Sequence, residues 1–218
     1  MYAILPFILQ TIIWLPVRFS LRLLCRLEVA GLKNLKNIKR GVIFVSNHTS
    51  ELDPVLVPVS LPFLSSLMPM FYTCREKSFY KDERFGWKQH AYGGIFFRIW
   101  GAYEVMVGQN DYELALKKHI EIMKDGHSIC IFPEGRKNVN GDKIEARGGV
   151  AFLSYRTGIP IIPVKINGAI EKKKITVTFG KPLFPKDIFP DLNKINPTKT
   201  HDDYKIAAKL IMEKIKEM

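Results

Sequence analysis

Acidic residues are in short supply in this chain: 21 Asp and Glu stand against 33 Lys and Arg among 218 residues, a formal charge of +12. The imbalance favours anionic partners, namely lipid headgroups, phosphorylated substrates, coenzyme A, an acidic carrier protein or nucleic acid. Cysteine is scarcer still. Cys25, Cys74 and Cys130 are far apart, odd in number and free of C-x-x-C spacing. That pattern argues against a disulfide framework and a zinc site, and it fits a reducing, cytosolic setting. No G-x-S-x-G elbow is present, which disfavours a covalent serine hydrolase, and H-E-x-x-H, the P-loop and G-x-G-x-x-G are missing too. The basic residues are dispersed and carry no nucleic-acid-binding motif, so nucleic acid is not an expected partner. Internal repeats and low-complexity tracts are also absent.

Charge is missing altogether from the first seventeen residues, MYAILPFILQTIIWLPV. At about 1.5 Å per residue such a stretch reaches only ~25 Å, short of a hydrocarbon core of roughly 30 Å. Pro6 and Pro16 interrupt it. The basic residues Arg18, Arg22, Arg26, Lys33, Lys36, Lys39 and Arg40 follow the apolar stretch, the reverse of a cleaved signal peptide, so retention is expected. Residues 1–28 therefore read as an interfacial membrane anchor. A helix packed on its own domain and a single membrane span are the alternatives. The remaining residues, 29–218, are enough for one sizeable core and short for two, and they read as a single α/β domain.

Within it, GVIFVS (41–46), SICIFP (128–133) and PIIPVKI (160–166) are bounded apolar runs without strict alternation, as strands buried on both faces of a sheet require. DYELALKKHIEIMKDG predicts a helix with Tyr112, Leu116, Ile120 and Met123 on one side, capped by Asp111 and closed near Gly126. GGVAFLSYRTG predicts a second helix ending at Gly158, and HDDYKIAAKLIMEKIKEM a last one with Asp202 near its start and Ala207, Ile211 and Ile215 in a stripe. KITVTFGKPL (174–183) alternates like a strand, and 187–201 reads as a surface connection. Strand, long connection, strand, helix, strand predicts a central, mostly parallel sheet flanked by helices.

Polar functional groups in such sheets gather beyond the carboxyl ends of the strands. Two polar segments lie there: SNHTSELDP (46–54) and PEGRK (133–137). His48 and Asp53 are spaced so that a turn can set the carboxylate on the imidazole, fixing its tautomer while the other ring nitrogen removes a proton from a hydroxyl. The plainer reading makes Asp53 an N-cap ahead of Pro54 and His48 a hydrogen-bonded core residue. In the second segment Gly135 permits a tight turn, and Arg136 and Lys137 can hold a phosphate, or all of it is a solvated charged turn.

Taken together, NHTSELDP, then FPEGRK, then GIPIIPV resemble the motifs of the glycerolipid acyltransferases, the family that includes the 1-acylglycerol-3-phosphate acyltransferases. The matching positions are His48 and Asp53 for H-x-x-x-x-D; Phe132, Pro133, Glu134 and Gly135 for F-P-E-G; and Pro160 and Pro163 for the late apolar motif, over roughly residues 29–185. The chain departs from the family in two places. Val107 and Gln109 stand where the second motif carries an arginine, and Arg136 with Lys137 replace the usual threonine and arginine after F-P-E-G.

The resemblance implies transfer of a fatty acyl group from acyl-CoA or acyl carrier protein, as co-substrate and with no other cofactor, to the hydroxyl of a lysophospholipid. 1-acylglycerol 3-phosphate is the first expectation, at the membrane bilayer and on its cytoplasmic face. His48 would be the general base and Asp53 its orienter. Glu134 and Gly135 would shape the turn, Arg136 and Lys137 would bind the acceptor phosphate, and Asn47 would serve the oxyanion. Arg98 and the Arg75-Glu76-Lys77 run are further candidate cations. Other acceptors (glycerol 3-phosphate, an amino-acid-linked lysolipid, a lipid-linked sugar) and a catalytically silent membrane-binding module are the rival readings. KNLKNIKR (33–40) and EKKK (171–174) are candidate membrane or donor contacts or solvated surface, and YGGIFFRIW (92–100) is an acyl-channel wall or buried core.

Overall fold

Three apolar runs read from the sequence as strands form the middle of one sheet. The computed structural model describes residues 2–39, 41–83, 86–87, 92–106, 111–137, 145–169, 173–189 and 199–218. Its strands are β1 (Arg26–Ala30), β2 (Ile43–Ser46), β3 (Met70–Cys74), β4 (Ala102–Glu104), β5 (Ser128–Ile131), β6 (Ile161–Ala169) and β7 (Lys174–Phe179). They lie in the order β1-β7-β6-β2-β5-β3-β4, and every pairing is parallel except β6 with β7. Every residue of β2 and β5 is buried, as strands covered on both faces must be.

Side chains alternate across the sheet. Ile43, Val45, Ile129 and Ile131 enter one core with α5 (Lys117–Lys124), α6 (Gly149–Thr157) and α8 (His201–Glu217). Val42, Phe44, Cys130, Ile162 and Val164 enter the other, against α1 (Ile4–Leu24) and α2 (Asp53–Ser60). Three short ones complete the described α-helices: α3 (Gly94–Ile99), α4 (Tyr112–Ala115) and α7 (Pro185–Ile188). The expected single helix after Asp111 is two, because Leu116 leaves helical geometry at φ −113°, ψ 13°. Asp111 does cap the first, accepting from the Glu113 and Leu114 amides. The last helix starts at His201, as its segment suggests, with Asp202 in its first turn and Thr200 and Asp203 forming a capping box.

Some expectations change. The prolines do not interrupt the N-terminal segment: α1 is continuous through both, since Pro6 sits in the first turn, where its missing N–H has no helical partner anyway. Position 28 falls inside β1, which pairs with β7, so the sheet begins before the expected boundary at residue 29. Segment 187–201 is not all surface, because Ile188 and Phe189 are buried in the core; its residues 190–198 lie outside the described set, as do Arg40 and residues 171–172 of the lysine run. α3, within YGGIFFRIW, buries none of its residues, and Ile95 is 79% exposed, against the core reading.

The long first helix lies along the domain. Pro6, Gln10 and Leu21 are buried, with Trp14 and Val17 packed against the second core. Gln10 works like one more strand residue: its Nε2 donates to Met70 O (2.8 Å) and Trp100 O (3.0 Å), and its Oε1 accepts from Met70 N (2.8 Å). Arg18 donates to Val59 O, and Trp14 meets Phe63 at 5.1 Å between ring centroids. The opposite side carries Ile4, Ile8, Ile12, Leu15, Phe19 and Leu23, all exposed, at three- and four-residue spacing.

Candidate active site

Parallel neighbours β2 and β5 end side by side, with Val45 opposite Ile131. The segments that follow, starting at Asn47 and Phe132, therefore leave the same edge of the sheet. The expected convergence of 46–54 with 133–137 follows from that register.

His48 Nδ1 lies 2.9 Å from Asp53 Oδ2. The same oxygen accepts from the Thr49 and Ser50 amides at 2.6 and 2.8 Å, and Oδ1 accepts from Ser50 Oγ at 2.7 Å. Asp53 is fully buried. Burial alone would raise its carboxyl, but these bonds from His48, Ser50 and Thr49 outweigh it and hold the group below the usual carboxylate range. An ionised carboxylate only accepts, so Nδ1 carries the proton and Nε2 presents a lone pair. Asp53 is not the N-cap of α2. It occupies the first turn, ahead of Pro54, and its carboxylate folds back over residues 48–50. The His48 side chain is 18% exposed, accessible to a substrate yet held on one face by Phe132, whose ring stacks on it at 4.4 Å and 29°.

The F-P-E-G segment forms a tight turn in which the Gly135 amide donates to Phe132 O at 3.0 Å. Gly135 has φ +63°, a conformation that favours glycine. Glu134, next to it in the turn, is buried. Arg136 is exposed. Lys137 is exposed, and its Nζ pairs with Glu51 Oε1 at 3.0 Å, a contact between this segment and the histidine segment. Asn47 is also engaged: its Nδ2 donates to Ile166 O at 2.9 Å and its Oδ1 accepts from Ile166 N at 2.8 Å. It fixes the end of β2 to β6, a positioning role in place of the expected oxyanion contact. Pro163 lies beside Val45 on β6, so the late apolar motif supplies the neighbouring strand of the site rather than chemistry.

The second-motif positions Val107 and Gln109 lie outside the described residues. Sequence reasoning missed Phe132 as the histidine's stacking partner and missed Arg147. The Arg147 amide donates to Pro133 O at 3.0 Å, and its guanidinium lies so close to Gly135 that a Cβ there would come within 2.8 Å of Nε. Only the glycine itself hinted at such a close approach.

Comparison with known proteins agrees with this geometry. Residues 26–167 match the family described as Acyltransferase. A chloroplastic 1-acyl-sn-glycerol-3-phosphate acyltransferase of Brassica napus is 24% identical over 141 residues, 65% of this chain and 37% of the relative. Tafazzin of Drosophila melanogaster is 30% identical over 81% of this chain and 48% of its own length. A 1-acyl-sn-glycerol-3-phosphate acyltransferase of Streptococcus pneumoniae is 24% identical over 71% and 54%, respectively. The chain thus spans well under two thirds of these curated relatives. The crystal structure of the 1-acyl-sn-glycerophosphate acyltransferase of Thermotoga maritima shares the fold, with a TM-score of 0.61, 18% identity and coverage of 95% of this chain and 80% of that one.

Proposed function

This chain belongs to the acyltransferase family, and from that premise we propose that it moves a fatty acyl group from a thioester to the free hydroxyl of a lysophospholipid, 1-acylglycerol 3-phosphate first, giving phosphatidic acid. The observation that carries the reading is the 2.9 Å bond between His48 Nδ1 and the buried Asp53 carboxylate, which leaves Nε2 as a base facing outward. In the proposed step Nε2 takes the hydroxyl proton as the acceptor oxygen attacks the thioester carbonyl. The carbon–sulfur bond then breaks, and the departing thiolate recovers that proton from His48. Asp53 holds the tautomer and steadies the imidazolium. No covalent acyl-enzyme is required, so the protein's main contribution is to position two substrates, with general-base help of about 10²- to 10⁴-fold.

The donor is acyl-CoA or acyl carrier protein, and the proposal needs no further cofactor. Arg136 contacts the acceptor, while Lys137 holds Glu51 and so keeps the two site segments together. α1 would lie in the bilayer interface on the cytoplasmic side, its docked stripe on the domain and its exposed stripe in lipid, with the exposed Arg22 and Arg26 near anionic headgroups at roughly 1 kcal/mol each. The length and hydropathy of Ile4–Leu24 are also sufficient to cross a membrane. The three Gln10 bonds hold α1 against the domain, so helix and domain would approach the membrane as one unit.

The test is product analysis: purified protein in detergent with lysophosphatidic acid and an acyl thioester should form phosphatidic acid, and His48→Ala should not. A folded His48→Ala protein of near-normal turnover would rule the mechanism out.

A further inference from the structure

The family's second-motif arginine is missing from this sequence, with Val107 and Gln109 in that stretch. The site nevertheless contains two arginines that no motif accounts for. β3 and β5 are parallel neighbours with Tyr72 opposite Cys130. The chain leaving β3 at Arg75 and the chain leaving β5 at Phe132 and Pro133 therefore depart from one edge, about 4.8 Å apart. Arg147 arrives from the other side. Its amide is bonded to Pro133 O at 3.0 Å, and its guanidinium lies over Gly135, where an added Cβ would come within 2.8 Å of Nε.

Among the described residues, no carboxylate pairs with Arg75 or Arg147, whereas Arg156 pairs with Glu113 and Lys137 with Glu51. Arg75 rests on the Phe79 ring at 5.0 Å and lines a cleft of about 320 Å³ with Glu76, Ser78 and Phe79. Burial first, and then the like charge of Arg75, pull the Arg147 guanidinium below its usual range. Two like charges without a carboxylate partner among the described residues, set beside the Phe132–Gly135 turn, favour binding of an anion. Glu76 lines the same cleft, so an anion bound here depends on the forked geometry of guanidinium more than on summed positive charge.

We propose that Arg147 and Arg75, flanking the Phe132–Gly135 turn, form the seat for the phosphate ester of the acyl acceptor in place of a second-motif arginine. The proposal rests on the acyl-transfer reading for its choice of ligand. The same chemistry is offered by the phosphates of a coenzyme A donor, so the experiment separates the two sources.

Steady-state kinetics of the full chain would be measured with lysophosphatidic acid and acyl-CoA varied separately, and with monoacylglycerol as an acceptor lacking phosphate. Arg147→Gln and Arg75→Gln should each raise the KM for lysophosphatidic acid about 10-fold or more, as loss of a charge-assisted bond does, with the donor KM unchanged. Arg147→Lys should recover part of the loss, and turnover of monoacylglycerol should be insensitive to Arg147→Gln. An unchanged acceptor KM, a rise confined to the donor KM, or an equal loss with monoacylglycerol overturns the proposal.

A second readout needs no turnover. Glycerol 3-phosphate should protect the wild type against thermal unfolding and should protect Arg147→Gln much less; absent or equal protection contradicts the seat. Protection by glycerol 3-phosphate in a wild type that acylates nothing would uphold the seat and reject the acyl-transfer reading.

Discussion

Phe132 lies face to face with His48, their ring centroids 4.4 Å apart and their planes 29° from parallel. Through this contact the second polar segment helps orient the proposed base, because the imidazole has a carboxylate at its Nδ1 edge and an aromatic plane on one face. Phe132→Ala should lower kcat by about 10-fold by loosening that ring. The thermal midpoint should shift only slightly, since Phe132 is only partly buried. Turnover kinetics beside a melting curve check this, and a kcat equal to wild type would remove Phe132 from the account.

Asp53→Asn keeps the shape of the group but loses the charge that holds Nδ1 protonated. A fall in kcat of about 10³- to 10⁴-fold is expected, comparable to loss of the corresponding aspartate in a serine-protease triad. Asp53→Glu should also be poor, because the Thr49, Ser50 and His48 bonds, at 2.6–2.9 Å, fit one carboxylate position. Kinetics on both variants, each verified as folded, decide the point.

His119 gives stability a pH dependence unrelated to catalysis. It is fully buried, and burial pushes its pKa from 6.5 down to about 4 despite backbone hydrogen bonds that favour the proton. The unfolded chain therefore takes up a proton that the folded chain refuses. Stability should fall as pH drops from about 6.5 to about 4, by on the order of a few kcal/mol. Asp53 acts in a separate window. Its lowered pKa contributes stability that is complete above the ordinary carboxylate value and lost only as pH falls through the folded one. Urea midpoints between pH 7 and 4 should slope for wild type and slope less in His119→Gln, the remainder coming from His127, whose burial also lowers its pKa; parallel slopes would contradict the assignment.

The sequence revealed the strands buried on both faces, because β2 and β5 are apolar at all but one buried position each and need no alternation to be recognised. It also revealed His48 with Asp53, whose five-residue spacing spans one strand-to-helix turn. Edge strands were harder to see. β1 carries Arg26 and Glu28 facing solvent, and β4 is three residues long, so neither has an apolar signature. Arg147 was not legible at all. It reaches the site through a backbone bond to Pro133, fourteen positions earlier, which no local pattern encodes. The contacts of Asn47 with Ile166 and of Lys137 with Glu51 were not legible for a related reason: only the folded chain brings those partners near.

The two sides of α1 should respond differently to mutation. Phe19→Asp or Ile12→Asp, on the exposed stripe, should weaken flotation with anionic phosphatidylglycerol vesicles and leave the melting temperature nearly unchanged. Gln10→Ala should instead destabilise the fold by ~1–3 kcal/mol, because the Met70 and Trp100 backbone groups lose their partner. Unaltered flotation in the exposed-stripe variants would exclude this face from the membrane contact.

The most direct measurement follows thiol release from an acyl thioester by purified protein, with and without lysophosphatidic acid, for wild type and His48→Ala. Release that requires the acceptor and collapses in His48→Ala is the predicted result. Release that proceeds equally without an acceptor, or that survives in a folded His48→Ala protein, would contradict acyl transfer by a histidine base.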